Sequence, residues 1–204
     1  MEIKPVKMIC AGDSLVNGYP FPRSKSFPSV LTRKTGLETD NIGMNGITAR
    51  DVSRVLDSKL AVCTQEKESG AVPDAVLISC GSNDFMLSTA DPAQVCDIVS
   101  EMAASAFGYG VHSVYVCAPP LTDPDQAQYM WMPGISYELI NRQLEEYRQL
   151  LSELSASARP DSDGDIHFID IQKAYRTYAK YVDGVHPTAE GYELIADAVA
   201  AAFK

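Results

Sequence analysis

The segment Ala75-Val76-Leu77-Ile78-Ser79-Cys80 is an almost unbroken apolar run, and Gly81-Ser82-Asn83-Asp84 follows it directly. Such a run, without the apolar–polar alternation of a half-exposed strand, is typical of a strand in a parallel sheet covered on both faces. Other strand-sized apolar runs recur along the chain, with helix-period segments between them. This alternation predicts an α/β fold, a three-layer α/β/α arrangement around about five parallel strands.

The candidate strands and helices are distributed over the whole chain. The predicted strands are Val6–Ala11, a weaker one at Leu37–Ile42, Ala75–Cys80, Val114–Ala118 and Ile166–Ile171. Apolar residues at helical spacing occur within 95–106, 140–154 and 192–203. A chain of 204 residues is long enough for one buried core and short for two domains, and it contains no repeat or linker that would divide it. We therefore expect residues 1–204 to form a single domain.

Composition and charge exclude several classes of partner. The net charge is −10, from 17 Lys+Arg against 27 Asp+Glu, and there is no basic stripe, which disfavours nucleic acid and anionic membrane surfaces. The apolar runs are far shorter than the roughly 20 residues that span a bilayer, so stable membrane insertion is not expected. The N-terminus has no secretory signal pattern. Five scattered cysteines without a C-x-x-C pair indicate free thiols in a reducing cytoplasm rather than disulfides or a zinc site.

Polar and glycine-containing segments follow each of the predicted strands. In open parallel sheets, ligands bind beyond the carboxyl ends of the strands, so these segments are expected to meet at one edge. In chain order they are Gly12-Asp13-Ser14, Asn41–Thr48, Gly81–Asp84, Pro119–Pro133 and Asp183–His186. The carboxyl edge of the sheet is therefore the expected functional site.

Two of these segments together suggest a nucleophile and its base. Asp183 and His186 are three residues apart, which allows the carboxylate to bond one ring nitrogen and leave the other free to take a proton. Ser14 follows a strand and Gly12 and should open a helix, with its hydroxyl exposed at the sheet edge. Taken alone, Ser14 is most simply a helix N-cap. With a base available, it becomes a candidate nucleophile.

The remaining segments offer hydrogen-bond donors. The amide of Asn83 could donate to an oxygen that becomes negative during acyl transfer, although an Asx turn is an equally good interpretation. Gly43 and Gly46 allow the backbone to approach a substrate closely. Neither a dinucleotide glycine pattern nor a phosphate-binding loop is present, so no nucleotide cofactor is indicated. Asp13 and Asp84 are expected to be structural.

These motifs resemble, in their order, the blocks of the GDSL, or SGNH, family of lipases and acylhydrolases. The matching elements are Gly12-Asp13-Ser14-Leu15 with Gly18-Tyr19, Gly46-x-Thr48, Gly81-Ser82-Asn83-Asp84 and Asp183-Gly-Val-His186-Pro187. The resemblance implies the SGNH hydrolase fold, with a flavodoxin-like parallel sheet. It also implies hydrolysis of esters or thioesters without a metal or other cofactor.

The same resemblance implies a role for each matching residue. Ser14 would be the nucleophile, His186 the general base and then acid, and Asp183 its orienting partner. The backbone N–H groups of Ser14 and Gly46 and the side-chain amide of Asn83 would form the oxyanion hole. Gly46, rather than Gly43, is expected to be the donor because it precedes x-Thr.

The segment Pro119–Pro133 is long for a loop and contains the only tryptophan. We expect it to pack over the active-site crevice, with Tyr129 and Trp131 in a pocket for the acyl or alcohol group. The alternative is that its aromatic residues cover the core or form a dimer contact, in which case the protein would be a homo-oligomer.

The predicted activity is serine-dependent hydrolysis of esters, or thioesters, of small or lipid-like substrates through an acyl-serine intermediate. A carbohydrate acetylesterase is the main alternative, and an acyl-CoA thioesterase is a second, although the negative charge offers little attraction for phosphates. A nucleotide-binding module of the same fold would need a glycine loop that is absent. A catalytically inactive, flavodoxin-like interaction module is the alternative from a different class.

Overall fold

The computed structural model describes residues 7–65, 72–157, 164–176 and 180–203, and it is built around one parallel β-sheet. The strands are β1 (Lys7–Gly12), β2 (Glu38–Asn41), β3 (Ala75–Ser79), β4 (Ser113–Cys117) and β5 (Asp165–Ile169). Their order is β2-β1-β3-β4-β5, and every pairing is parallel. This is the flavodoxin-like order, and the three-layer α/β/α prediction is confirmed.

Helices connect the strands and cover both faces of the sheet. Within the described residues they are α1 (Ser14–Asn17), α2 (Phe27–Thr35), α3 (Ala49–Gln65), α4 (Ser82–Leu87), α5 (Pro92–Gly108), α6 (Pro124–Met130), α7 (Tyr137–Ser157), α8 (Ile171–Arg176) and α9 (Ala189–Ala201). A short 3₁₀ turn, Arg23–Lys25, precedes α2.

The two layers of helices bury separate apolar clusters on the two faces of the sheet. One cluster joins α3, α5 and α7 to residues such as Val76, and the other joins α2, α8 and α9 to residues such as Leu77. Successive side chains of a strand point to opposite faces, so neighbouring residues of β3 belong to different clusters. All five residues of β3 are buried, which explains why four of them are apolar and only its last residue, Ser79, is polar.

The edge strands account for the weaker parts of the sequence pattern. β2 pairs only with β1, and its residues alternate between exposed and half-buried, so its apolar signal is slight. At nearly every strand end, the predicted bound differs from that of the structure by one or two residues. Val6, the predicted start of the first strand, lies outside the described residues. No helix in the described ranges is both long and apolar enough to cross a bilayer.

One prediction about secondary structure was wrong: the segment Pro119–Pro133 is not a continuous loop. It contains α6, which begins with Pro124 at its first position, where a missing N–H costs nothing. The side chain of Asp123 caps this helix by accepting a hydrogen bond of 3.0 Å from the Gln126 N–H.

The register of the central strands places the loops that follow β1 and β3 side by side. Gly12, the last residue of β1, is opposite Ser79, the last residue of β3. A Cβ at Gly12 would overlap the carbonyl of Ser79, so glycine allows the two strands to stay close at this point. The helices α1 and α4 therefore start next to each other at the carboxyl edge of the sheet.

Candidate active site

Ser14 is the first residue of α1, directly after β1. The N-cap of this helix is Asp13, whose Oδ1 accepts a hydrogen bond of 3.0 Å from the Leu15 N–H. The simpler interpretation of Ser14 as an N-cap is therefore wrong, because the neighbouring carboxylate already fills that position. The Ser14 hydroxyl is left to bond elsewhere.

The Ser14 hydroxyl is hydrogen-bonded to His186, which lies 172 residues further along the chain. The distance from Ser14 Oγ to His186 Nε2 is 3.0 Å, and that from His186 Nδ1 to Asp183 Oδ2 is 2.8 Å. When Nδ1 carries its proton toward the carboxylate, Nε2 is the acceptor for the serine hydroxyl. All three side chains are buried or nearly so. The three residues predicted to act together thus form one hydrogen-bonded line.

Asp183 is held by the loop that it shares with His186. Its Oδ1 accepts hydrogen bonds from the Val185 N–H at 3.0 Å and the His186 N–H at 2.8 Å. Burial by itself raises the pKa of this carboxyl. The hydrogen bonds from the imidazole and the two backbone groups, together with the charge of the imidazole, outweigh it and hold the pKa below its ordinary value. The carboxylate therefore remains ionised at neutral pH, as the orientation of the imidazole requires.

The three predicted oxyanion donors lie around one pocket. Ser14, Gly46 and Asn83 all line it. One hydrogen of the Asn83 side-chain amide is donated to the carbonyl of Ile47 at 2.8 Å, and the second has no acceptor among the residues that the structure describes. Gly46 has a φ of +76°, a conformation that glycine adopts without strain. The hydrogen bond from the Asn83 side chain to Ile47 also connects α4 to the loop that carries Gly46.

The neighbouring glycine, Gly43, has a different environment. A Cβ at Gly43 would overlap the backbone of Val16 and Asn17, so this glycine lets the loop after β2 pack against α1. Gly43 does not line the pocket. The choice of Gly46 as the donor agrees with this arrangement.

The two aspartates expected to be structural support the start of helices. Asp84 Oδ2 accepts a hydrogen bond of 2.9 Å from the Ala49 N–H at the start of α3. Burial raises the pKa of Asp84. Asp13 is fully buried, and its Oδ2 has no hydrogen-bond partner among the described residues. Burial raises the pKa of Asp13 from 3.8 to about 7.

Two aromatic rings pack against the imidazole of His186. The ring of Tyr19 lies 4.7 Å from it and that of Trp131 lies 4.6 Å from it, both in edge-type arrangements. Trp131 therefore reaches the site, as expected. Tyr19 was expected only as part of the matching motif, and its contact with the imidazole depends on the fold.

The pocket beside Ser14 is mainly apolar, with a volume of about 240 Å³. No lysine, arginine or carboxylate side chain is among the described residues that line it. Its apolar and aromatic wall is formed by Leu15, Tyr19, Met86, Leu87, Trp131 and Val185. Met86 and Leu87 were not predicted, although both follow the Gly81–Asp84 motif at the start of α4, where their spacing from Asn83 was the available signal.

The prediction that Tyr129 lines this pocket needs correction. Its side chain is 91% exposed, and it is not among the lining residues. Because Tyr129 lies on the helix α6, whereas Trp131 follows the end of that helix, the two side chains point in different directions. Their spacing of two residues in the sequence did not indicate that the two side chains have different environments.

The chemistry available in the site is acyl transfer. Within the described ranges, no group of three or more His, Cys, Asp or Glu side chains is placed to hold a metal ion. The site presents a serine hydroxyl hydrogen-bonded to an imidazole, which is in turn hydrogen-bonded to a carboxylate, an arrangement that could support nucleophilic acyl transfer.

Solved structures with the same fold cover nearly the whole chain. The native aryl esterase of M. smegmatis superposes with a TM-score of 0.76 at 19% identity, covering 97% of this chain and 98% of that one. A carbohydrate acetylesterase family member from Sinorhizobium meliloti gives 0.71 at 20% identity, covering 97% of each chain. A lipase/acylhydrolase from Enterococcus faecalis gives 0.70 at 20% identity, covering 97% of this chain and 95% of that one.

The family can be assigned from the sequence itself. Among curated protein sequences, none matches this chain. The family model of the GDSL-like lipases/acylhydrolases, in contrast, matches residues 8–199, which include all of the sheet but Lys7 and all the loops of the site. The chain belongs to the GDSL-like lipase/acylhydrolase family and is a carboxylic ester hydrolase.

Proposed function

We propose that Ser14, His186 and Asp183 carry out the hydrolysis through an acyl-serine intermediate. The observation that supports this most strongly is the hydrogen-bonded line from the Ser14 hydroxyl through the imidazole to the Asp183 carboxylate, with distances of 3.0 and 2.8 Å. A serine hydroxyl is a poor nucleophile until a base removes its proton. The imidazole is in position to do so.

In the acylation step, Ser14 Oγ attacks the ester carbonyl carbon while His186 Nε2 takes the hydroxyl proton. The carbonyl oxygen becomes negative and is stabilised by the N–H groups of Ser14 and Gly46 and the free amide hydrogen of Asn83. The imidazolium then gives its proton to the leaving alcohol oxygen as the ester C–O bond breaks. Asp183 remains ionised throughout and stabilises the imidazolium.

In the deacylation step, water takes the place of the alcohol. His186 removes a proton from the water, whose oxygen attacks the acyl carbon. The same donors stabilise the second tetrahedral intermediate, and Ser14 leaves with a proton from the imidazolium. The product is a free carboxylic acid, and no cofactor is needed.

We propose uncharged small-molecule esters as the substrates. An apolar wall and the absence of a cationic group among the described lining residues favour ligands without phosphate or carboxylate groups. A net charge of −10 also disfavours acyl-CoA. Acetylated sugars remain the second candidate class of substrate. Asn45 and Ser82 add polar groups to the pocket lining, and one protein of the same fold belongs to a carbohydrate acetylesterase family.

The proposal is tested by replacing Ser14 and following both activity and covalent labelling. Ser14→Ala is expected to abolish hydrolysis of p-nitrophenyl acetate and labelling by a fluorophosphonate, without lowering the unfolding temperature appreciably. Ser82→Ala is the matched comparison, because Ser82 lines the same pocket while His186 Nε2 accepts its hydrogen bond from the Ser14 hydroxyl.

Labelling retained in Ser14→Ala, or lost in Ser82→Ala, would assign the nucleophile differently. A wild-type chain that neither reacted with the probe nor hydrolysed any ester would favour the inactive interaction module.

We also propose a cytoplasmic location and one domain over residues 1–204. The five cysteines are all free thiols, and three of them are buried, which suits a reducing compartment. Self-association is left as a prediction, to be measured by light scattering of the purified protein.

A further inference from the structure

Three rings form a cluster at one side of the active site. Tyr19 and Trp131 each contact the imidazole of His186, with centroid distances of 4.7 and 4.6 Å. Their own centroids are 6.3 Å apart, with an interplanar angle of 63°. Both rings also line the pocket next to Ser14. A substrate group that lies against the imidazole therefore meets two aromatic side chains.

The mechanism determines which part of the substrate occupies this place. His186 Nε2 must reach the leaving alcohol oxygen in order to protonate it, so the alcohol departs beside the imidazole. The carbonyl oxygen instead faces Gly46 and Asn83. Tyr19 and Trp131 are consequently on the alcohol side of the scissile bond.

Trp131 is held in this position by the contacts of α6 with the catalytic loop. The backbone N–H of Trp131 donates a hydrogen bond to the carbonyl of Ala127 at 3.0 Å. The Asp123 N–H donates to the carbonyl of Gly184 at 2.7 Å, and the Gln126 amide donates to that of Val182 at 3.1 Å. The helix that presents Trp131 is thus bonded directly to the loop that carries His186. Trp131 as a residue is still 37% exposed, which leaves surface available for a ligand.

We propose that Trp131 and Tyr19 form an alcohol-side subsite that selects esters of aromatic alcohols. The inference rests on the proposed acyl-serine mechanism, which defines the alcohol side. Aromatic rings gain from edge-to-face and offset contacts beyond the area they bury, and a saturated ring of the same size does not. The absence of charged groups among the described lining residues also suits an uncharged ring.

The test compares benzyl acetate with cyclohexylmethyl acetate. The two esters have the same acyl group, alcohols of similar size and similar leaving-group reactivity, so they differ mainly in the aromatic character of the alcohol. The wild-type kcat/KM is expected to favour the benzyl ester by roughly 3- to 10-fold. Trp131→Leu should bring this ratio close to one, and Trp131→Phe should retain part of it.

The matched control is Tyr129→Leu, which replaces an aromatic residue two positions before Trp131, at the end of α6, that is 91% exposed and outside the pocket. It should leave the benzyl-to-cyclohexylmethyl ratio unchanged. Tyr19→Leu provides a second variant if Trp131→Leu does not fold, and it should also lower the ratio. The preference between acetate and butyrate esters of one alcohol should not change in any of these variants.

A wild-type ratio near one, or a ratio that survives Trp131→Leu, would overturn the subsite. A change in acyl preference without a change in the ratio would also overturn it, because it would place Trp131 on the other side of the bond. Fluorophosphonate labelling of Ser14 is measured in parallel. Labelled protein without the aromatic preference refutes the subsite alone, whereas unlabelled protein refutes the mechanism beneath it.

Discussion

The polar atoms of the active site each have a structural reason for their position. Asp183 accepts hydrogen bonds from the ring of His186 and from two backbone N–H groups of its own loop, so its orientation is determined by the loop as well as by its partner. Asn83 is anchored through one amide hydrogen, and the other has no acceptor in the described part of the chain. In the proposed mechanism, this arrangement would orient the oxyanion donors before a substrate binds.

Asn83 provides a direct test of the oxyanion hole. Asn83→Ala is expected to lower kcat by roughly 10²- to 10³-fold with a smaller effect on KM, because the amide acts most strongly on the charge that develops in the transition state. Steady-state kinetics with p-nitrophenyl acetate would measure this. Asn45→Ala, at another amide in the pocket lining, should have a smaller effect on kcat. Equal losses in the two variants would argue against a specific role for Asn83.

Asp13 is expected to make the unfolding free energy fall as the pH rises. Burial, together with the nearby charge of Asp84, raises its pKa to about 7, against the opposing effects of the Leu15 N–H and His186. A carboxyl with a raised pKa in the folded state binds its proton more tightly there, so folding is favoured at acid pH. This contribution is lost as the pH rises from about 4 to about 7.

Asp13→Asn removes this titration while keeping an oxygen that can accept from Leu15. Relative to the wild type, the unfolding free energy of the variant is expected to increase between pH 5 and pH 8, by up to a few kcal/mol. Urea unfolding at the two pH values would measure the difference. A difference that stays constant, or falls, would show that Asp13 does not titrate in this range.

At the scale of elements, α6 and the catalytic loop behave as one unit. Gly184, between Asp183 and His186, has a φ of +86°, and a Cβ there would overlap the backbone of Ala127 on α6. The bonds from Asp123 and Gln126 to this loop add to the contact. The seven-residue helix thus supports the position of the proposed triad, although it contributes none of its members.

Gly184→Ala tests this support. The added methyl group should push α6 away from the loop and strain the backbone, lowering stability by about 1–3 kcal/mol and reducing kcat more than it raises KM. Gly134→Ala is the matched control, because Gly134 has a similar φ of +85° but nothing within 4 Å of an added Cβ. It should carry only the backbone cost and keep its activity. Equal kcat values in the two variants would contradict the coupling.

At the scale of the molecule, one five-stranded sheet carries a buried hydrophobic cluster on each of its faces. Leu56 belongs to the cluster under α3, α5 and α7, and Leu77 belongs to the cluster under α2 and α9. Both side chains are fully buried. Because the two clusters share the same strands, loss of packing on one face should weaken the other.

Substitutions in the two clusters should therefore lower a single, common transition. Leu56→Ala and Leu77→Ala are each expected to cost about 2–5 kcal/mol. Leu139→Ala, at a side chain that is 48% exposed, should change stability by no more than about 0.5 kcal/mol. Chemical unfolding followed by circular dichroism and by intrinsic fluorescence would test this. Separate transitions for the two leucine variants would contradict the proposal of one domain.

Much of the fold was predictable because apolar periodicity is a local property. The buried run of β3 and the helical stripe of α7 each indicate their element without reference to the rest of the chain. Short elements were less accessible. The helix α6 is only seven residues long and lies among prolines, so its periodicity is too brief to detect, although Asp123 followed by Pro124 is a recognisable helix start.

The sequence by itself determined the succession of strands and helices, the residue types of the triad and the family to which the chain belongs. Only the tertiary structure decided that Ser14 and His186, 172 residues apart, lie 3.0 Å from each other, because that distance depends on strand order and register. It also decided that Trp131 faces the imidazole while Tyr129 faces solvent. The physical reason is that a local sequence pattern determines the type of secondary structure, whereas contacts between distant segments depend on how the layers pack.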